Sequence, residues 1–333
     1  MNHYSGRQKI LFFGGLFLLA ITVPAALWGN GTFSPAEILA FLCDKSSNET
    51  LKTIIIELRL PRIIAALLCG AALGTAGAVL QSVLRNPLAS PELLGISAGG
   101  GCAGLALLIW LPGYFQYLGI AVFAGALTVT LLIFAAARSR WFSPLRLILA
   151  GVALGALFGT VSTVILMLGT DRYNMVFNFL LGGFAGVSRY ELKLFAPGLI
   201  IAIIAAYSIR NKLDILALGD DCAFALGLKV PQFRLAALLV AALGAASTAG
   251  IAGLLGFAGL IAPHTVRLLG KSGSNRFIIP ASALAGAELV LLGDWLGQLA
   301  APEGGEIPAG VFLAGCGSLF FVILLATSRR DEV

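Results

Sequence analysis

Runs of roughly 18 or more predominantly apolar residues recur along this 333-residue chain, and each is long enough to cross a bilayer as a helix. That one feature excludes most folds. Hydrocarbon offers no partner to a bare peptide group, so a spanning segment must satisfy its own backbone as a helix or join a closed barrel. Ten helical spans are expected, at roughly 10–28, 60–83, 92–110, 115–137, 144–168, 191–208, 232–250, 252–269, 277–297 and 308–326. Gly250, Gly253, Gly256 and Gly259 blur the break between the seventh and the eighth. The expected fold class is an all-α polytopic membrane protein, one transmembrane domain over residues 1–333. Only 11% of its residues are charged, against about 25% in a soluble domain.

Charge placement gives an orientation. An even number of spans puts both termini on one side. With the N-terminus inside, seven basic residues lie outside (Lys45, Lys52, Arg59, Arg62, Arg172, Arg189 and Lys193) and the other 15 of the 22 lie inside. This excess predicts cytoplasmic termini. Trp28, Trp110 and Trp295 fall at outer helix ends and Trp141 near an inner one, as an aromatic belt requires. The net charge of +6 is therefore topogenic, and nucleic acid is not an expected partner. Arg7 and Lys9 precede a first apolar run that reads as a start-transfer helix, since more spans follow. No metal site or cofactor is expected. The five cysteines are scattered without a CxxC pair, and the only histidines are His3 and His264.

The 41 glycines include the spacings Gly70-x-x-x-Gly74 and Gly155-x-x-x-Gly159, which let helices approach closely where lipid supplies no hydrophobic drive. A weak internal repeat accompanies them. "RIIAALLCGAALGTAG" from Arg62 resembles "RLAALLVAALGAASTAG" from Arg234, and "LAGVALGALF" at 149–158 echoes "PAGVFLAGCGSLF" from Pro308. The members of each pair run in opposite directions across the membrane. The second to fifth and seventh to tenth spans are then inverted repeats, a transporter architecture.

Enzyme motifs carry little weight. No P-loop is present, and "GGGCAG" at 99–104 lies in an apolar run with no strand before it. "GISAG" at 95–99 fits a nucleophile elbow. Ser97 with His264 could form a hydrolase pair, but the sequence offers no orienting acid, and no catalytic residue is assigned. More informative is "LALGDDCAFALGLKV", residues 216–230, within an inner loop at 209–231. Asp220 or Asp221 can cap a short helix and Gly227 can end it. Between them Ala223, Phe224 and Leu226 offer an apolar surface with no membrane to cover it. Such a helix either rests on its own bundle or enters the groove of a cytosolic partner.

At this point a family is discernible. "GDDCAFALG" resembles the Gly-acid-x-x-Ala-x-x-Leu-Gly coupling segment of FecCD-type permeases of ABC importers, which carry iron–siderophores, haem and cobalamin. The likeness covers nearly the whole chain: "RLPR" (59–62), "RNPLASPELLG" (85–95), "LILAGVAL" (147–154), "LGGF" (181–184), "GLIAPHTVRLLG" (259–270), "LLGD" (291–294) and "IPAGV" (307–311) follow in order. The resemblance implies a BtuC-like importer permease fold that works without a cofactor. It implies a second permease subunit, identical or a sister, two cytosolic ATPase subunits, and a periplasmic or lipid-anchored substrate-binding protein. Leu218, Gly219, Asp220, Asp221, Ala223, Phe224, Leu226 and Gly227 would form the ATPase-coupling segment. Arg59 and Arg62 match outer arginines that dock acidic residues of the binding protein. The family commonly has another arginine shortly after Asp294, where this chain has Gln298.

Pro263 and His264, with Arg267 one turn on, are expected to break the eighth helix and act as a hinge or inner gate. In the ninth helix, Asp294 lies near the outer interface and is, with Glu288, a candidate pathway residue. Glu288 falls near the midplane, where an ionisable residue is costly, and it is either a pathway residue or a neutral hydrogen-bonding group. The leading reading is the permease of an importer for ferric chelates such as iron–siderophores, in the cell's cytoplasmic membrane. A haem or cobalamin importer of the same family is the near alternative. A proton-coupled secondary carrier using Glu288 is the distant one.

Overall fold

The computed structural model describes residues 5–29, 34–42, 49–137, 144–169, 173–301 and 305–328, and no strand occurs among them. His3, Cys43, Lys45, Arg138, Arg140, Trp141, Arg172, Arg329 and Arg330, on which parts of the sequence reading rest, lie outside the described residues. The chain begins with α1 (Gly6–Trp28), α2 (Pro35–Leu42) and α3 (Glu49–Thr53), then a π-helical turn at Ile54–Arg59 that runs into α4 (Leu60–Leu84), and α5 (Ile96–Trp110). A 3-10 segment at Pro112–Tyr117 leads to α6 (Leu118–Ala137), α7 (Pro144–Leu168), α8 (Tyr173–Leu181) and α9 (Arg189–Ser208). The remainder is α10 (Arg210–Ala217), α11 (Asp220–Ala225), α12 (Val230–Ala252), α13 (Ala258–Gly270), α14 (Asn275–Ala300) and α15 (Ala309–Ser328).

Each of the ten expected spans is found as a helix. Among the described residues seven stretches are long and apolar enough to cross a membrane, while α5 and the apolar part of α15 are shorter. The third span starts at Ile96 rather than 92, because Pro91 and the left-handed Gly95 (φ 71°) turn the chain before it. The eighth is the 13-residue α13.

Helix α4 is the axis of the bundle. It is buried along most of its length and packs against α14, α12, α13 and α9. The reason is the absence of side chains. A Cβ on Gly70 would stand 2.3 Å from the Gly286 carbonyl oxygen, and one on Gly74 would stand 2.1 Å from that of Ser282. Backbones at this range gain dispersion contacts that larger residues would forbid. The other predicted spacing behaves differently. Gly155 meets Gly95, with a Cβ 3.2 Å from its Cα, whereas Gly159 faces open space.

Helices α4 and α12, whose sequences form the repeat, pack on each other in opposite directions: Arg85 at the end of α4 and Arg234 near the start of α12 reach the same carboxylate. Helix α14 is likewise antiparallel to α4, with Ser82 bonded to Asn275 at one end and Arg62 to Asp294 at the other.

One expectation needs correction. The chain does not break at Pro263, which sits inside a continuous α13. The break lies earlier, at residues 253–257, between Gly253 (φ 68°) and Phe257 (φ 64°). Proline at the sixth helical position only removes the amide that would have reached the Gly259 carbonyl. That oxygen instead faces Gly77, where a Cβ would come within 1.6 Å of it.

Candidate functional site

Residues 209–231 form two short helices at one end of the bundle. Helix α10 is buried through Leu213 and Leu216. Helix α11 begins after Gly219, whose φ of 120° suits only glycine, and neither Asp220 nor Asp221 caps it by a side-chain bond. The expected aspartate cap is therefore replaced by first-turn carboxylates. The expected glycine stop is present. Gly227 (φ 82°) is left-handed, and Leu228 N–H donates to Ala223 O at 2.9 Å while Gly227 N–H donates to Phe224 O at 2.9 Å. These two bonds are a Schellman motif.

The apolar residues of this segment divide. Ala223 is wholly buried against the bundle, so it does not belong to an offered surface. Leu218, Phe224 and Leu226 point outward, with Phe224 76% exposed. Three large apolar side chains on one short helical corner, away from the spans, form a patch of the kind that marks a partner site.

Asp220 turns inward instead. Its Oδ1 accepts from Arg234 Nη2 at 2.8 Å and also from Arg85 Nη2. Arg234 is 1% exposed, and a buried guanidinium stays charged only if anions or carbonyls answer it. Arg85 adds a 2.8 Å bond to Leu216 O, from a left-handed position (φ 48°) that ends α4. Six residues earlier, Asp214 Oδ1 accepts from the Asn275 backbone N–H at 2.8 Å and from Asn275 Nδ2 at 2.7 Å, at the start of α14. Asn275 Oδ1 then accepts from Ser82 at 2.9 Å. Arg267 donates to Ser82 Oγ at 3.0 Å and to Gln81 Oε1 at 3.3 Å.

The opposite end holds a second ion cluster. Arg62 clasps Asp294 with Nε at 2.8 Å and Nη2 at 2.9 Å, and its Nη1 meets Glu306 at 2.8 Å. Gln298, where an arginine was looked for, donates to Asp294 Oδ2 at 2.9 Å. The cluster borders a cavity of about 470 Å³. Its wall includes Arg62, Asp294 and Glu306, residues 249–253 at the end of α12 and just past it, and the aromatic rings Phe179, Phe184 and Phe195. Arg59 is engaged elsewhere, donating to the Trp28 carbonyl at 2.8 Å and to that of Leu27. It answers the negative end of α1. Neither arginine is thus a lone cation, which their sequence positions alone did not reveal.

His264 stands edge-on to Phe320, ring centroids 5.6 Å apart. Glu92 supports the nearby break: its Oε2 accepts from the Phe257 N–H at 3.1 Å. Glu288 lies on the face of α14 that meets α1, where its Oε2 accepts from Thr22 Oγ1 at 3.1 Å, and it is not among the cavity-lining residues.

Sequence reasoning had not singled out Arg85, Asp214, Glu92 or Glu306 as site residues. The available signals were the stretch 85–95, which holds Arg85 and Glu92 within a family-like motif, and Arg234, which opens the second copy of the repeat as Arg62 opens the first.

A model of the FecCD transport family matches residues 16–327. The chain is 39% identical over 280 residues to the Fe(3+)-citrate import system permease protein YfmE of Bacillus subtilis (strain 168), covering 84% of each chain. It is 39% identical over 281 residues to the vitamin B12 import system permease protein BtuC of Salmonella arizonae, covering 82% of this chain and 83% of that one. Among solved structures, a metal-chelate type ABC transporter in an inward-facing conformation superposes with a TM-score of 0.84 at 28% identity, over 96% of this chain and 99% of that one.

Proposed function

We propose that this chain, which belongs to the FecCD transport family and is the permease of an ABC importer, moves a ferric chelate such as an iron–siderophore across the membrane. It is a multi-pass membrane protein. The end that carries α10 and α11 is assigned to the cytosol, with both termini, and the cavity end to the outside. Energy comes from ATP hydrolysed by partner subunits. A second permease, identical or a sister, completes the path.

The observation that carries the coupling role is the outward corner of Leu218, Phe224 and Leu226 on a helix whose other face is fixed in the bundle. An apolar anchor of this shape suits a groove on each of two ATPase subunits. At the far end, a substrate-binding protein meets Arg62 as part of a cluster with Asp294 and Glu306, and Arg59 through its hold on α1. We assign the gate role of Pro263, His264 and Arg267 to the short α13, with the 253–257 break as the point about which it would bend. The likeness to an Fe(3+)-citrate permease at 39% identity supports iron. An equal identity to a vitamin B12 permease makes cargo the point to test. Glu288 bonded to Thr22 gives no support to the secondary-carrier reading.

The test has two parts. The tagged chain is purified in mild detergent, with and without Phe224→Asp; an ATPase that comes down with the parent and not with the variant is the expected result. Cells carrying the complete system are then given radio-iron as hydroxamate or citrate chelates, and labelled cobalamin and haem. Uptake confined to the iron chelates is expected. Uptake of cobalamin or haem alone would overturn the cargo while leaving the importer role intact.

A further inference from the structure

We propose that Asp220 is a positioning residue that fastens the coupling segment to α4 and α12, and is not part of the surface offered to the ATPase. The inference rests on the importer reading above and gives it a mechanical route. Two acids stand side by side at the head of α11, yet their surroundings differ. Asp221 is exposed. The Asp220 Oδ1 oxygen is shared by Arg85, which ends α4, and by Arg234, which lies in the first turns of α12. Arg234 is 1% exposed, so moving α11 away from α12 would take from a buried guanidinium one of the groups that answer it, while the Asp220 carboxylate, 43% exposed, would meet water. Losing a carboxylate from a buried guanidinium is disfavoured. Helix α11 is therefore biased to move with the two helices.

A second fastening lies six residues upstream. Asp214 holds the first amide and the side chain of Asn275, which starts α14. The short helices are thus pinned to three long ones at a single end. All three reach the cavity at the other end, through Arg62, through residues 249–253 and through Asp294. A displacement of the coupling segment is delivered across the bilayer as a joint shift of α4, α12 and α14, carried by discrete paired contacts.

The division of labour on α11 is what an experiment can separate. Phe224 faces out, and its replacement should cost ATPase binding. Asp220 faces in, and its replacement should cost transmission. The complete importer is expressed with tagged permease carrying Asp220→Asn, Arg85→Gln or both, and two quantities are read: ATPase retained on the tag, and chelate uptake. With Asp220→Asn the ATPase is expected at the parental ratio while uptake falls by about tenfold, within the range of a coupling between sites. The double variant should fall short of the product of the two single defects, because both changes weaken the shared Arg85–Asp220 contact, although Arg85→Gln also gives up the bond to Leu216 O. Asp220→Glu should restore part of the uptake.

ATPase lost with Asp220→Asn from a complex the parent forms would overturn the tether, as would uptake that stays at the parental level. Defects that multiply in the double variant would overturn it too. If the parent itself retains no ATPase, it is the importer reading that fails, and the tether falls with it. Should Asp220→Asn fail to fold, Arg85→Gln carries the same test, since Arg85 is partly solvent-exposed.

Discussion

Arg62 and Asp294 exchange two bonds in surroundings where Asp294 is 2% exposed, so neither charge can lose the other cheaply. Asp294→Leu should lower stability by about 3 kcal/mol, because it leaves the Arg62 guanidinium, only 15% exposed, with the more exposed Glu306 as its remaining carboxylate. Arg62→Met combined with Asp294→Leu should recover much of that loss, an outcome read from thermal unfolding in detergent. Equal destabilisation of single and double variants would show that the pair does not act as a unit. Glu288 presents the opposite case. Its bond to Thr22 holds α1 against α14, a contact worth about 1 kcal/mol or less in a membrane. Glu288→Gln keeps that bond and should transport at the parental rate. Glu288→Ala should also transport, with a small loss of thermal stability. A collapse of uptake in both variants at normal expression would return Glu288 to the pathway.

At the scale of the helices, contact distance decides which substitutions matter. Gly74→Val would drive a side chain into the Ser282 carbonyl, 2.1 Å from the position of its Cβ, and should abolish a monodisperse detergent-solubilised protein. Gly159→Ala meets nothing within 4 Å and should be neutral or raise stability by up to ~1 kcal/mol through helix propensity. Size-exclusion profiles and melting temperatures distinguish the two. The same contrast says what could be read in the chain beforehand. Gly70 and Gly74 could be found because spacing on one helix fixes a face, and Gly227 because a left-handed stop is a local property. The break at 253–257 was legible in outline, from the glycines at 250, 253, 256 and 259. Its support was not, because Glu92 comes from 165 residues away to bond Phe257, whereas Pro263 advertised a break that its surroundings made unnecessary. Asp220 misled for a like reason. Side by side with Asp221 it reads as a helix cap, and it is held inward by Arg234 and by Arg85, the latter 135 residues distant. Helices and their small-residue faces are written locally, while ion clusters are written in pairs that tertiary structure must bring together.

For the molecule as a whole, the seat of α1 has a consequence for how the protein is made. The first helix emerges long before its main neighbour: Thr22 finds Glu288 only after 266 further residues, and Arg7 reaches the Leu269 carbonyl at 2.6 Å across 262. At the ~5–20 residues per second of synthesis, that delay is roughly 10–50 s. Through it α1, with few of its residues buried even in the finished bundle, lacks its main partner and has only its smaller contacts with α4 and the turn before it. Thr22→Cys paired with Glu288→Cys should cross-link in the full-length protein, and a pair that stays unlinked under oxidising conditions would unseat the α1–α14 contact. A helix that waits for its main partner has to be greasy on every side, and that is the character of residues 10–28, whose one polar handle is the threonine that Glu288 eventually grasps. The order of synthesis is thus imprinted on the N-terminal helix: it is built as a guest of the bilayer first and a member of the bundle last.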